Sequence, residues 1–169
     1  MIYYDKIAAS YDELYEQEQL KKLEIIKKKC SFGSNFSLLD VGCGTGIATT
    51  FFPCKATGID PSKALLAIGK EKHPNAEYVL GEAEHLPFKD NQFDVVISLT
   101  AIQNFHDVER GLAEIKRVGK HWFVLSYLKK SKYRKQIFSA IKHFFRIIER
   151  IEEEKDIIVV AVKNQNSPS

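Results

Sequence analysis

The chain has 169 residues, 44% of them hydrophobic and 28% charged, with a formal net charge of +3. This length suffices for a continuous core, so we predict one domain over residues 1–163 and a flexible tail over residues 164–169. The chain has no run of 18 apolar residues, no signal-peptide pattern and no metal-ligand spacing among Cys30, Cys43 and Cys54. These absences disfavour a membrane span, secretion and a bound metal, and they indicate a cytoplasmic protein with reduced thiols.

The first predicted element is a long helix over about residues 5–30, either continuous or broken near Gln17. A strand over residues 37–41 follows and runs into three glycines spaced Gly-x-Gly-x-Gly, at positions 42, 44 and 46. Glycine lacks a Cβ, so this loop can take positive φ and approach another molecule closely. A short helix over about residues 46–52 is expected to point its free backbone N–H groups at the same spot.

The glycine spacing favours one kind of ligand over another. Dinucleotide sites use Gly-x-Gly-x-x-Gly, whereas the third glycine here comes one residue earlier. Asp40, at the end of the first strand, would also place a carboxylate near any phosphate. A cofactor with a positive centre and an amino group therefore fits better, although such a triplet also occurs in plain tight turns. The carboxylate of Asp40 has an alternative role, which is to hold the glycine loop through backbone N–H groups.

The second predicted strand, over residues 56–60, ends in Asp60. In nucleotide-binding βαβ units, an acid at this position accepts hydrogen bonds from ribose hydroxyls. Pro61 and Ser62 then open a helix over residues 63–72, with a fixed φ and a capping hydroxyl at its start.

The third and fourth predicted strands cover residues 77–80 and 94–99. The third leads directly into Glu82 and Ala83. The fourth is a nearly continuous apolar run, typical of a strand covered on both faces. Four successive strand ends thus carry, in order, glycines, an acid, an acid–alanine pair and a Ser-Leu-Thr step. This ordered set is more specific than any one of its members.

The remaining elements continue the alternation of helix and strand. We predict a helix from Asp107, its capping residue, to residue 118, a strand over 121–127 and a helix over 131–143. The last stretch is predicted as two strands, over 145–152 and 157–162, rather than one long helix, because β-branched residues crowd both halves. The alternation implies an α/β fold with a parallel sheet, to which this hairpin adds one antiparallel strand.

Together these motifs resemble the class I S-adenosylmethionine-dependent methyltransferases, in particular the branch of quinone C-methyltransferases and of many small-molecule and RNA methyltransferases. The resemblance covers nearly the whole chain. Its motifs are Tyr4-Asp5-x-x-Ala8-x-x-Tyr11-Asp12, Leu39-Asp40-Val41-Gly42-Cys43-Gly44-Thr45-Gly46, Gly58-Ile59-Asp60-Pro61-Ser62, Gly81-Glu82-Ala83-Glu84-x-Leu86-Pro87-Phe88 and Phe93-Asp94-Val95-Val96.

The resemblance implies a Rossmann-like, doubly wound, seven-stranded sheet in the order 3-2-1-4-5-7-6, with strand 7 antiparallel and helices on both faces. It implies S-adenosylmethionine as cofactor and an N-terminal helical lid over residues 1–30. The glycine loop would wrap the methionine part of the cofactor. Asp60 would bind the ribose hydroxyls, and Glu82-Ala83 would recognise the adenine. Leu99 would lie beside the sulfonium, and Tyr11 would close over the cofactor. The full predicted cofactor set is Tyr11, Asp40, Gly42, Cys43, Gly44, Asp60, Pro61, Glu82, Ala83 and Leu99.

Two positions depart from the family pattern. Residues 117–121 (Arg-Val-Gly-Lys-His) replace the usual Leu-x-Pro-Gly-Gly turn before strand five, at a distance from the cofactor. Glu82 stands where Asp is commoner, and its extra methylene requires the loop to relax.

Candidates for catalysis follow the fourth strand, where an acceptor should meet the methyl group. Gln103 and Asn104 could orient an amine, an amide or a base edge, or they could simply cap the loop. His106 could act as a base with Asp107, unless Asp107 caps the helix and His106 is solvated. His85 and Tyr127 are weaker candidates.

The methyl acceptor is predicted less sharply than the cofactor. Eight Lys or Arg residues and interleaved aromatics lie between residues 129 and 150 against one acid, which fits RNA phosphates or, alternatively, a solvated helix whose aromatics face the core. One hypothesis is therefore an RNA (tRNA or rRNA) or protein methyltransferase, with a partner subunit completing an open cleft. The alternatives are a small-molecule methyltransferase acting on a quinone-like ring and a non-catalytic module that binds the cofactor.

Overall fold

The computed structural model describes the backbone of residues 2–164 and the side chains of residues 16–164. In this part of the chain seven strands form one sheet in the order β3-β2-β1-β4-β5-β7-β6. The elements are α1 (Ile2–Lys29), β1 (Ser37–Val41), β2 (Lys55–Asp60), α2 (Lys63–Lys72), β3 (Glu77–Leu80), β4 (Phe93–Ser98), a short 3-10 helix (Ile102–Asn104), α3 (Val108–Val118), β5 (Gly119–Leu128), α4 (Arg134–Phe144), β6 (Phe145–Glu152) and β7 (Asp156–Lys163).

The strand directions confirm the predicted topology. Strands β3, β2, β1, β4 and β5 run parallel, whereas β7 pairs antiparallel with both β5 and β6. The sequence-derived choice of a terminal hairpin over one long helix is therefore correct. The reason is visible in β7, whose residues 156–161 are all buried, because this strand lies between β5 and β6 inside the sheet.

Helices cover both faces of the sheet, as predicted. On β1, Leu38 packs into one hydrophobic cluster with Leu23 and Ile26 of α1. The next residue, Leu39, faces the opposite cluster, which contains residues of α3 and α4 such as Ile115 and Ile141. Because successive side chains of a strand point to opposite faces, a strand buried on both faces reads as an apolar run.

One predicted element is wrong. Residues 46–52 form a series of turns instead of a helix, with an N–H to carbonyl bond of 3.3 Å from Thr50 to Gly46. The Thr49 side chain is turned towards the sheet, where its hydroxyl donates to Asp40 over 2.8 Å. Pro53 follows directly, and the residue before a proline is disfavoured in helical conformation. The available stretch is thus too short for a stable helix.

Other boundaries shift by a few residues. Helix α1 is continuous past Gln17, so the unbroken alternative holds. Strand β5 begins at Gly119, directly after α3, because Gly119 caps that helix in an extended conformation. Because α3 connects to β5 without intervening residues, the chain does not need the proline-containing turn expected from the family resemblance. No helix in the described part of the chain is long and apolar enough to cross a membrane.

Candidate active site

A cavity of about 490 Å³ lies at the carboxyl ends of the parallel strands. Five residues predicted to bind cofactor line it: Gly42, Asp60, Pro61, Glu82 and Ala83. Gln103, Asn104 and His106, the three weak catalytic candidates, line it as well. The strand ends therefore converge as parallel strands in one sheet should.

A second, small cavity borders the glycine loop. Asp40, Cys43 and Leu99 line it, and Gly42 and Gln19 border both cavities. Gly44 borders neither of the two, and the side chain of Tyr11 lies outside the described residues. Eight of the ten predicted cofactor residues thus surround two adjoining spaces that share Gly42 and Gln19.

The glycine loop has the conformation that its sequence predicts. Gly42, Gly44 and Gly46 have φ values of +76°, +56° and +86°. A Cβ on Gly42 would lie 2.5 Å from the Cβ of Ala101, and a Cβ on Gly46 would collide with the Tyr78 hydroxyl. Glycine is therefore required at these two positions both by φ and by the approach of a neighbouring segment.

The carboxylate of Asp60 holds the glycine loop in place. One of its oxygens accepts from the Gly44 N–H and the other from the Ser62 N–H, each at 2.9 Å. Asp60 is only 7% exposed, yet it borders the large cavity. Asp60, at the end of β2, therefore accepts the backbone N–H hydrogen bond of the glycine loop that was considered for Asp40 at the end of β1.

Asp40 has a different environment. It is 2% exposed, and its carboxylate accepts from the Thr49 hydroxyl over 2.8 Å. Burial, and secondarily the negative charge of Asp60, raises the pKa of Asp40 to about 7, although the Thr49 hydrogen bond acts in the opposite direction. Burial likewise raises the pKa of the neighbouring Cys43 thiol well above its usual range. A protonated, enclosed thiol is not a nucleophile.

A buried polar cluster that the sequence did not reveal forms one wall of the large cavity. The Lys22 ammonium of α1 lies 2.8 Å from the carboxylate of Asp156, and both side chains are almost fully buried. Lys22 also donates to the hydroxyl of Thr100, which in turn lies 3.3 Å from Asp156. Lys22 and Thr100 both line the cavity. The spacing of Lys22 from the buried Ile26 was the one available signal, since it places the lysine on the apolar face of α1.

Thr100 itself is strained. Its φ is +55°, which is rare for a β-branched residue. The backbone N–H of Thr100 donates to the Ser126 hydroxyl over 2.8 Å, and its carbonyl accepts from the Gln103 side chain over 2.7 Å. These contacts fix the chain's direction after β4, where the acceptor is expected.

The three catalytic candidates differ in their surroundings. Gln103 is half-buried, and its carboxamide oxygen is enclosed without a hydrogen-bond partner among the described residues. Asn104 and His106 are exposed at the cavity rim. Asp107 caps α3 by accepting from the Arg110 N–H at 3.0 Å. This contact supports the structural role of Asp107 over its action as a catalytic partner of His106. His85 is exposed and Tyr127 is buried in the core; neither borders the cavity.

The basic segment 129–150 is partly neutralised. Lys129 and Arg150 lie 3.8 Å and 2.8 Å from Glu152. Lys142 and Arg150 lie over the ring of Phe138, at 5.0 Å and 5.4 Å from its centroid. The exposed cations of this segment are Lys130, Lys132, Arg134, Lys135, Lys142, Arg146 and Arg150. Among the described side chains, no group of three His, Cys, Asp or Glu residues is arranged to hold a metal ion.

Known proteins resemble this chain in sequence. Residues 39–122 match the family described as a methyltransferase domain. An uncharacterised protein of Methanocaldococcus jannaschii is 40% identical over 120 residues, which are 70% of this chain and 46% of that protein. The demethylmenaquinone methyltransferase of Chlorobaculum tepidum is 41% identical over 87 residues, which are 49% of this chain and 36% of that enzyme. The chain therefore spans less than half the length of these two relatives.

Solved structures share the fold at low sequence identity. A SAM-dependent methyltransferase from Aquifex aeolicus has a TM-score of 0.73 and 18% identity, over 83% of this chain and 88% of its own. A chain from the complex of the Haloferax volcanii Trm112 methyltransferase activator with a methyltransferase has a TM-score of 0.77 and 16% identity, over 95% and 97%. With the glycine loop, the strand order and the sequence match, these findings establish that the chain belongs to the class I S-adenosylmethionine-dependent methyltransferases, a family of enzymes whose cofactor is S-adenosylmethionine.

Proposed function

We propose that this chain binds S-adenosylmethionine across the two adjoining cavities and transfers its methyl group to a small acceptor that enters the larger cavity. The observation that carries the proposal is the shared wall at Gly42. There, the absence of a side chain leaves a cradle beside Ala101, between the glycine-loop cavity and the cavity lined by acids.

The residues around the two cavities fit the cofactor's charge and polarity. Asp60 and Glu82 border the large cavity and offer carboxylates to ribose hydroxyls and to an adenine amino group. At the other end, Asp40 lies beside the glycine loop, where a carboxylate suits the cationic part of the cofactor. A phosphate-bearing nucleotide would meet these same acids unfavourably.

S-adenosylmethionine supplies a methyl group on a positively charged sulfur, which is already an excellent leaving group. The chain's task is then to align acceptor, methyl carbon and sulfur, a contribution that can account for much of the acceleration. Ala101 lies against Gly42, and Gln103 lines the large cavity, so both are suited to position the acceptor. Helix α1, which contributes Glu18, Gln19 and Lys22 to the cavity wall, is suited to exclude water as a lid.

A small acceptor is favoured over RNA by the charge of the cavity. Four carboxylates line it, and its ammonium group, that of Lys22, is already paired with Asp156. The four are Glu18, Asp60, Glu82 and Glu84. Phosphates would be repelled from such a wall. The relative from Chlorobaculum tepidum, by its name a demethylmenaquinone methyltransferase, also favours a small-molecule acceptor.

RNA or protein as acceptor remains a second candidate because of the exposed cations between residues 130 and 150. A partner subunit belongs to the same proposal, since a chain of this fold occurs in the Haloferax volcanii complex with the Trm112 methyltransferase activator. The cytoplasmic location expected from the cysteines stays a prediction.

Two measurements test the proposal. Titration calorimetry should show binding of S-adenosylmethionine and of its demethylated product, with binding lost in Asp60→Ala. A melting curve of this variant provides the control, because Asp60 also holds the glycine loop. If the wild-type chain binds neither compound, the proposal is wrong.

The second measurement uses radiolabelled methyl donor with metabolites, total RNA and protein extract as separate acceptor pools. Label in the metabolite pool supports the small acceptor. Label in RNA or protein alone favours the second candidate.

A further inference from the structure

The side chain of Gln103 is oriented by the backbone beside it. Its nitrogen lies 2.7 Å from the carbonyl oxygen of Thr100. A carbonyl only accepts hydrogen bonds, so the carboxamide must present its NH₂ group to Thr100 and its oxygen to the opposite side. The strained φ of Thr100 and the fully buried Ile102 fix the segment that carries this amide.

The oxygen of this amide is an acceptor without a hydrogen-bond partner in the described part of the chain, on a side chain that lines the cavity. It is enclosed, and no described residue donates to it, while Gln103 itself lines the cavity. Buried acceptors left without a donor are costly, and the great majority in proteins are satisfied. A molecule that fills the cavity therefore either donates to this oxygen or leaves it unsatisfied.

The same segment lies beside the proposed methyl donor. Ala101 touches the position where a side chain on Gly42 would be, which brings Ala101, two residues before Gln103, against the glycine loop. An acceptor that reaches this loop through the cavity thus passes the side chain of Gln103. Sites that hydrogen-bond a substrate hydroxyl or amine discriminate strongly against analogues lacking the donor, because the site's own polar group is then left unpaired.

We infer that the methyl acceptor carries an N–H or O–H group that donates to the Gln103 side-chain oxygen, and that Gln103 selects amine or hydroxyl acceptors over carbon and sulfur acceptors. This inference rests on the proposed methyltransferase function. In the reaction, the nitrogen or oxygen lone pair forms the new bond to the methyl carbon. The carbon–sulfur bond breaks with its electrons remaining on sulfur, and the acceptor's proton leaves to solvent. Gln103 orients the acceptor and is not a base.

The direct test uses the chain saturated with the demethylated cofactor and isotopically labelled at glutamine side chains. Probes are 2-phenylethylamine and 4-methylphenol, each beside a counterpart without the donor, N,N-dimethyl-2-phenylethylamine and 4-methylanisole. We expect the Gln103 NH₂ resonances to shift with one or both donor probes and not with the counterparts. Equal shifts with the counterparts, or no shift with any probe, would overturn the inference.

A kinetic test follows once an acceptor has taken up label. Gln103→Leu should lower kcat/KM for that acceptor by about tenfold, the loss of one hydrogen bond to a buried group, with unchanged binding of the demethylated cofactor. Gln136→Leu, the same substitution at an exposed position on α4, should change neither quantity. Label found on carbon or sulfur, or an unchanged kcat/KM in Gln103→Leu, would contradict the inference while leaving the methyltransferase proposal intact.

Discussion

The Lys22 ammonium and the Asp156 carboxylate form an ion pair of 2.8 Å in which the two side chains are 2% and 3% exposed. This pair joins helix α1 to the first residue of β7 at the wall of the proposed active site. Charges removed from water so completely are stable only when each satisfies the other. The pair therefore makes the position of α1 dependent on the sheet.

Removing one partner of this pair should be costly. Lys22→Met and Asp156→Asn are each expected to destabilise the chain by about 3–5 kcal/mol, because the remaining group loses its buried partner. The double variant should lose less than the sum of the two single effects. Urea unfolding of all four proteins measures this coupling. Strictly additive losses would mean that the two groups act independently.

The stability of the chain should fall as the pH rises through the titration of Asp40. The folded-state pKa of Asp40 is about 7, above its usual value of 3.8. Its contribution is fully present below the lower value and is lost as the pH rises towards the higher one. Between pH 5 and pH 8 the wild type should therefore lose on the order of 2 kcal/mol relative to Asp40→Asn.

The Asp40→Asn variant keeps an oxygen that can accept from Thr49 but carries no charge, so other titrating groups cancel in the difference. Unfolding free energies from urea titrations at the two pH values give the measurement. A difference that does not change with pH would show that Asp40 titrates normally.

The glycine loop should tolerate no side chain at Gly42. Gly42→Ala combines a φ of +76° with a Cβ 2.5 Å from Ala101, so calorimetric binding of S-adenosylmethionine should weaken by at least about tenfold. The double variant with Ala101→Gly removes the collision but not the backbone strain. The double variant should recover part of the affinity. Full affinity in Gly42→Ala would show that the cofactor does not occupy the space beside Gly42.

The three thiols should react in an order set by their access. Cys30 and Cys43 are 8% and 9% exposed, whereas Cys54 is half-buried. A thiol reagent applied to the folded chain should modify Cys54 first, and in urea all three should react. Peptide mass mapping locates the modified residue. Early modification of Cys43 would contradict the enclosed glycine loop.

Local pattern predicted much of the fold. The strands over 37–41, 77–80 and 145–152 were predicted to the residue, because the apolar run of the first and the β-branched or aromatic residues of the other two are unlike helix sequences. The helix predicted over 46–52 is absent for two reasons. Pro53 ends the stretch, and the Thr49 hydroxyl donates to Asp40 in the preceding strand β1, a contact that helix propensity does not include.

The sequence by itself determined the family, the strand ends and the glycine loop, since these depend on residue types at fixed short spacings. Only the tertiary structure decided that Asp60 rather than Asp40 holds the loop, that Lys22 meets Asp156, and that the Gln103 oxygen is enclosed beside the cavity. The first two of these relationships join residues that lie in different elements of the chain. Their physical basis is burial, because an unpaired charge or acceptor costs more free energy in the protein interior than in water. Which residue becomes the partner depends on the folded arrangement and cannot be predicted from spacing along the sequence.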